Sequence, residues 1–342
     1  MIDTIGLDYL YYEIPKAVLK DKKEGWAHLE IPNEHEGWIN YYAKNVRLKN
    51  GAVIRYEYYP FALAGKPFVR IILSLPNVVF GNNYQMIFDI ESAVEIANQS
   101  LPVVRGIPHI DLWKGEIVRL DVCYNHHVGH LVPYFVRALQ SLEYERRKTL
   151  PYSSEGVSYG NDSIVTYLYN KAKERLDHKD REGAKKAYGI LRQETSYRKA
   201  YIKKLTGKGS PGLRDVLSAD LLVGVLDKDL EELGLLGISI GTIDTTYEKL
   251  RKVYDEDTAT YLLGWIVRGK DSLSLKDLVA ASSKSKTTIM RKIADILSAD
   301  VPMTLTTYQE ALPPLVIDQE MILREEREQK RKKADEFRSD PE

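Results

Sequence analysis

The chain holds one cysteine, Cys123, among 342 residues, which excludes an internal disulfide and a cysteine-rich zinc site. It lacks any apolar run near the length that spans a bilayer, and no apolar stretch follows a basic start. A cytoplasmic protein with no membrane partner is expected. No Gly-x-x-x-x-Gly-Lys-Ser/Thr sequence occurs, so a phosphate-cradling loop of that kind is excluded. Net charge is also missing: Lys+Arg and Asp+Glu number 49 each, so total charge points to no partner. What is present is an ordinary globular composition, 44% hydrophobic, in a chain long enough for two domains.

Charge is unevenly spread. From Lys171 to Lys208 there are thirteen Lys or Arg against five Asp or Glu, an excess suited to a phosphate-binding surface, although a pair of solvated helices would carry it equally well. Directly before it, Ile164 to Tyr169 is an unbroken run of apolar, aromatic and β-branched residues, which reads as a strand. Gly160-Asn161-Asp162 supplies a turn and Gly156 to Tyr159 the first arm of a hairpin. Strand alternation places Tyr167 and Tyr169 on one face, roughly 7 Å apart, with Lys171 beyond them. A phenol so placed can attack a phosphodiester and hold the cut strand covalently, provided cations neutralise the phosphate and help the proton leave. The plainer role for a strand tyrosine is packing, and the chain has 23 tyrosines.

Further strands are expected at 2–12, 38–48, 52–59 and 68–75, with a hairpin about Asn50-Gly51, a loop at 76–83 and helices at 90–100 and 133–148. In Glu116 to Asn125, alternation puts Arg119, Asp121, Cys123 and Asn125 on one face; in Gly189 to Tyr197 it groups Arg192, Glu194 and Ser196. Mid-strand charges need partners. Asp121 and Glu194 form a candidate pair for a hard divalent cation, with Arg119 and Arg192 on a phosphate, while a surface strand accounts for the same pattern. His126, His127 and His130 read as polar loop residues before metal ligands. Arg198 to Leu205 continues as a basic helix or turn, offering Arg198, Lys199 and Lys203 to DNA. Lys208-Gly-Ser-Pro-Gly212 reads as a linker. The expected organisation is α+β: an antiparallel-sheet catalytic domain at 1–207, a mainly helical domain at 213–318, and a charged tail at 319–342 forming an exposed, fraying helix. Ser274 to Leu297 has the pattern of a helix-turn-helix, its first helix at Leu275 to Ala281 and its second presenting Lys286 and Arg291. A closing strand is expected at 312–317.

Taken in order, these pieces resemble the gene II replication initiators of filamentous phages and the related phage and plasmid rolling-circle initiators. The resemblance rests on Met1-Ile-Asp3, Phe80-Gly81, Arg119-Leu-Asp121, Val165-Thr-Tyr-Leu168, Arg192-Gln-Glu194 and the region from Tyr261 to Val316. It implies site-specific nicking of one strand of a double-stranded origin. A tyrosine becomes linked to the 5′ phosphate, a 3′ hydroxyl primes displacement synthesis, and the displaced single strand is later cut and rejoined, with host helicase and polymerase as partners. Tyr167 matches the nucleophile of the phage branch, whereas Tyr169-Asn170-Lys171 matches the motif of the plasmid branch. Asp121 and Glu194 match acidic positions implied to hold Mg²⁺ or Mn²⁺, with Arg119, Arg192 and Lys171 clamping the phosphate. Asn125 stands where plasmid initiators commonly carry a second acid. The rival expectation is a non-catalytic, sequence-specific DNA-binding regulator, which would have no use for carboxylates beside a phosphate.

Overall fold

Residues of alternating polarity make the first part of the chain a meander of strands. The computed structural model describes residues 1–10, 12–33, 37–61, 66–144, 146–152, 155–270, 282 and 284–339. Its strands are β1 (Ile2–Leu10), β2 (Ala27–Asn33), β3 (Gly37–Arg47), β4 (Val53–Tyr59), β5 (Phe68–Ser74), β6 (Glu116–His127), β7 (Lys148–Pro151), β8 (Gly156–Gly160), β9 (Ile164–Asn170) and β10 (Ile190–Arg198). Its described helices are α1 (Lys16–Lys20), α2 (Leu75–Phe80), α3 (Ile90–Ser100), α4 (Val132–Leu139), α5 (Lys171–Asp177), α6 (Arg181–Lys186), α7 (Lys199–Thr206), α8 (Ala219–Glu232), α9 (Ile243–Val253), α10 (Glu256–Lys270), α11 (Lys286–Leu297) and α12 (Gln319–Ser339). This is the expected α+β class with antiparallel sheet and a helix-rich C-terminal region. Among the described residues no helix is long and apolar enough to cross a membrane.

The chain folds into two compact units, one comprising Met1–Cys123, Ser196–Leu222 and Gln319–Glu342, the other Tyr124–Thr195 and Val223–Asp318. In the first, strands run in the order β2-β3-β4-β5-β1-β6, and the described registers are antiparallel. Strict alternation in β5 buries Val69, Ile71 and Leu73, which join Ile5, Leu7 and Ile54 in the core. Where a loop was expected at 76–83 there is the short helix α2. Pro76 lies in its first turn, where a missing N–H costs nothing, and Gly81 ends it in the left-handed conformation, φ +69°. Helix α3 spans the expected residues, its N-terminus capped by Asp89. The 208–212 stretch is not a free linker: the Pro211 carbonyl accepts Ile117 N–H at 2.8 Å, and the segment belongs to the first unit. Nor is the tail merely exposed. The Gln329 side-chain oxygen accepts the N–H groups of Phe88 and Asp89, its amide donates to the Met86 carbonyl, and Ile322 is buried.

In the second unit the strand order is β10-β9-β8-β7. The β8–β9 hairpin forms as expected, pairing Ser158 with Tyr167 and Gly156 with Tyr169. Helix α4 packs on β8 and β9, bringing Phe135 and Leu139 into one core with Val157, Tyr159, Leu168 and Leu191. It ends at Leu139 instead of 148, and the chain turns into β7, a strand with no alternation to announce it. The expected strand at 312–317 is two isolated bridges, Leu312 to Ile240 and Leu315 to Leu236. Helices α9, α10 and α11 build a second core around Leu250, Leu262, Trp265, Ile289 and Ile296. Of the helix-turn-helix pattern, the second helix is α11, capped by Ser285; the expected first helix, 275–281, lies outside the described residues.

Candidate active site

The junction of β9 and α5 builds the site. Asn170 ends the strand and caps the helix, its side-chain oxygen accepting Lys173 N–H at 3.2 Å while its amide donates to Glu155 at 2.6 Å. Lys171 is thereby fixed at the first helical position, where it is fully buried. Strand geometry turns Tyr169 the same way. The Tyr169 hydroxyl donates to Glu194 Oε2 at 3.0 Å and accepts from Lys171 Nζ at 3.4 Å. Lys171 Nζ also lies 3.2 Å from Glu174 Oε2, one turn along the helix. Glu194 is steadied by Arg192, whose Nε donates to Oε2 at 3.2 Å and whose Nη1 donates to Asn125 Oδ1 at 3.3 Å. A phenol between a carboxylate acceptor and an ammonium donor has a route for its proton and a counter-charge for the phenolate left behind.

Tyr152 completes the cluster, its ring centre 4.6 Å from that of Tyr167 and 5.1 Å from that of Tyr169. Burial, with Glu194 and Glu174 nearby, pushes its hydroxyl up to about 12. Gly156 faces Tyr169 across the hairpin. A Cβ there would fall 2.6 Å from the Tyr152 carbonyl oxygen and 2.7 Å from Tyr169 Cβ, so a close backbone approach requires glycine. The alternation readily groups Tyr167, Tyr169 and Lys171. Nothing in the sequence marks Tyr152, and Glu174 is signalled only by its i,i+3 spacing from Lys171.

Asp121 belongs to the first unit. It is buried and bound by Arg119, Nη2 to Oδ2 at 2.6 Å, and by the Ser196 hydroxyl at 2.6 Å. Burial pushes its carboxyl up, against the opposing pull of Arg119 and Ser196. The pattern repeats: Asp121 carries an arginine and the Ser196 hydroxyl, Glu194 an arginine and the Tyr169 hydroxyl. Arg55 and Glu57 pair in the same i,i+2 fashion at 2.7 Å. An arginine two residues before an acid on one strand face is thus a recurrent way of neutralising carboxylates in this protein. Among the described residues no three His, Cys, Asp or Glu gather to hold a metal. Each of the two candidate ligands carries a guanidinium on its carboxylate, a contact that a Mg²⁺ or Mn²⁺ ion would have to share or replace.

The remaining expected residues divide by exposure. Arg192 and Lys171, read as phosphate clamps, are fully buried, Lys171 against the Tyr169 hydroxyl and Arg192 against Glu194. Lys199 and Lys203 pair with Glu116 at 3.0 and 3.5 Å. Arg119 and Arg198 are exposed, as are Lys286 and Arg291 on α11. His126 is no loop residue: it lies in β6, buried, sharing a hydrogen bond with Gln193 at 3.0 Å, and desolvation pulls its imidazole down to about 4. Comparison with protein-family models and with characterised proteins gives no match.

Proposed function

We propose that the protein is a rolling-circle replication initiator that cuts one strand of an origin duplex through Tyr169 and later rejoins it. The observation that carries this reading is the Tyr169 hydroxyl held between Glu194 and Lys171. Glu194 takes the phenolic proton while Tyr169 Oη attacks phosphorus. The bond to the 3′ oxygen breaks, that oxygen is protonated to a 3′ hydroxyl, and the 5′ phosphate remains on the tyrosine. Lys171 lowers the cost of the phenolate, and Arg192 holds Glu194 in line. The phosphotyrosine conserves the bond energy, so rejoining by the reverse attack needs no nucleotide. Tyr169 is buried beside Tyr152, so the strand must displace the Tyr152 ring to reach it. Exposed Arg198 supports phosphate binding, and host helicase and polymerase would extend from the 3′ hydroxyl in the cytoplasm.

Supercoiled plasmid carrying the gene's flanking DNA tests the reading. Wild-type protein should yield nicked circle with protein on the 5′ end. Tyr169→Phe should abolish it, and Glu194→Gln should slow it by about 10² to 10⁴. Parallel arms with Mg²⁺, Mn²⁺ or chelator decide whether the reaction needs a cation. The exposed basic residues of α11 favour one rival, a sequence-specific regulator. Tight origin binding with no nick and no adduct in any arm would establish that rival instead.

A further inference from the structure

The chain between the strand of Tyr169 and the strand of its carboxylate partner is a helical arm. Helix α5 begins at Lys171, two residues after Tyr169, and α6 leads through Tyr188 into β10, which carries Arg192 and Glu194. The two helices pack on each other. Asp180 fixes their turn: its carboxylate accepts Arg175 Nε at 2.9 Å and caps α6 by accepting Gly183 N–H at 2.8 Å. Gly183, Ala184 and Ala187 are buried, and Arg181, Lys185 and Tyr188 are exposed. Spacings of four and three residues set those three in one line, since Tyr188 N–H continues the turn onto the Lys185 carbonyl at 3.3 Å. The Tyr188 side chain is 69% exposed.

The acids of the arm are engaged: Asp177 pairs with Lys173 at 3.5 Å, Asp180 with Arg175, and Glu182 with Lys185 at 2.8 Å. Lys179, Arg181 and Lys186, all exposed, stand in no ion pair among the described residues. Cations left over on one braced arm attract a polyanion. The exposed ring narrows the choice, because a phenol can stack on an unpaired base but has no use for bases already stacked in a duplex. We infer that the α5–α6 arm binds single-stranded DNA, with Lys179, Arg181 and Lys186 on phosphates and Tyr188 against a base. From Arg181 to Tyr188 the helix rises about 10 Å, the span of about three phosphates along one strand. The inference takes its partner from the cutting reading and deepens it: the arm is tied at one end to Tyr169 and at the other to Glu194, so the strand it holds is the one that leads to the cut.

Fluorescence anisotropy of the full chain with a labelled oligothymidine, and with a duplex of the same length, reads binding without cutting. For the single strand, the slope of log Kd against log salt should fall by about 2 in the triple variant Lys179→Gln, Arg181→Gln, Lys186→Gln, at roughly 0.7 per phosphate contact. Lys49→Gln, an exposed change on the β3–β4 turn, should leave the slope alone. Tyr188→Ala should weaken the single strand about tenfold and the duplex not at all, and Tyr188→Phe should keep wild-type affinity. Four results overturn the inference: no single-strand binding by the wild type, an unchanged slope in the triple variant, a fall at Lys49→Gln as large per charge, or a Tyr188→Ala loss that is absent or shared by the duplex. The Tyr169 adduct separates this outcome from the cutting reading. An adduct formed without any dependence of binding on the arm removes the arm alone; arm-dependent binding with no adduct removes the cutting and leaves the arm.

Discussion

Two buried residues show how far the environment has moved ordinary side chains. The Lys171 ammonium is fully enclosed and balanced by Glu174 and the Tyr169 hydroxyl. Lys171→Met keeps the volume but strands the Glu174 charge. It should lower stability by about 3–5 kcal/mol, read as a fall in the urea midpoint. His126 has a folded value of about 4, below the roughly 6.5 of an exposed imidazole. Above pH 6.5 it is neutral in both states. As pH falls toward 4 the unfolded chain takes the proton first, so stability is lost across that window and no further below it. The His126 ring resonances should stay those of neutral imidazole at pH 5, and a titration near 6.5 would contradict its burial. The sequence made the shared face of Tyr167, Tyr169 and Lys171 legible through period-two spacing. It left open whether Arg192 and Arg119 met phosphates or their own acids, because alternation reports a face and not what covers it. The i,i+2 arginine–carboxylate spacing, present at Arg55, Arg119 and Arg192, was the available clue.

Local chemistry decides whether the site is assembled at all. Asn170 joins strand to helix, and Asn170→Ala should cost about 1 kcal/mol through the lost cap alone, seen in thermal unfolding. Gly156→Ala must push a Cβ into Tyr169 and the Tyr152 backbone. It should destabilise by about 1–3 kcal/mol and perturb the Tyr152 ring resonances, whereas the same change at solvent-facing Gly209, with nothing within 4 Å, should be near neutral. Helix α3 and the β3–β4 and β8–β9 hairpins were legible because periodicity and turn residues agree there. Helix α2 was not, since Pro76 and Gly81 look like loop punctuation and are instead a helix's first turn and its left-handed stop. The early end of α4 and the strand β7 were hidden for a different reason: four mostly exposed residues carry no hydrophobic pattern.

At the scale of the molecule, the chain does not divide where its composition changes. Strands β6 and β10 and helix α8 each begin in one unit and end in the other, so the segments of a unit are far apart in sequence and no linker composition marks the boundary. The glycine-rich 208–212 stretch is tied down by Pro211, and the charged tail by Gln329. These are backbone and amide contacts that periodicity does not report. Within the second unit, buried Asp229 accepts from Thr166, Thr195, Tyr144 and Arg147, linking α8 to three parts of the chain. Asp229→Ala orphans several buried donors at once and should lower unfolding free energy by about 3–5 kcal/mol, measured by denaturant titration. The central claim concerns one hydroxyl, and mass spectrometry of the protein digested after reaction with origin DNA examines it most directly. The account expects a 5′-phosphate-linked nucleotide on the peptide carrying Tyr169, lost in Tyr169→Phe and retained in Tyr167→Phe. An adduct on Tyr167, or origin binding with no adduct on either tyrosine, would contradict it.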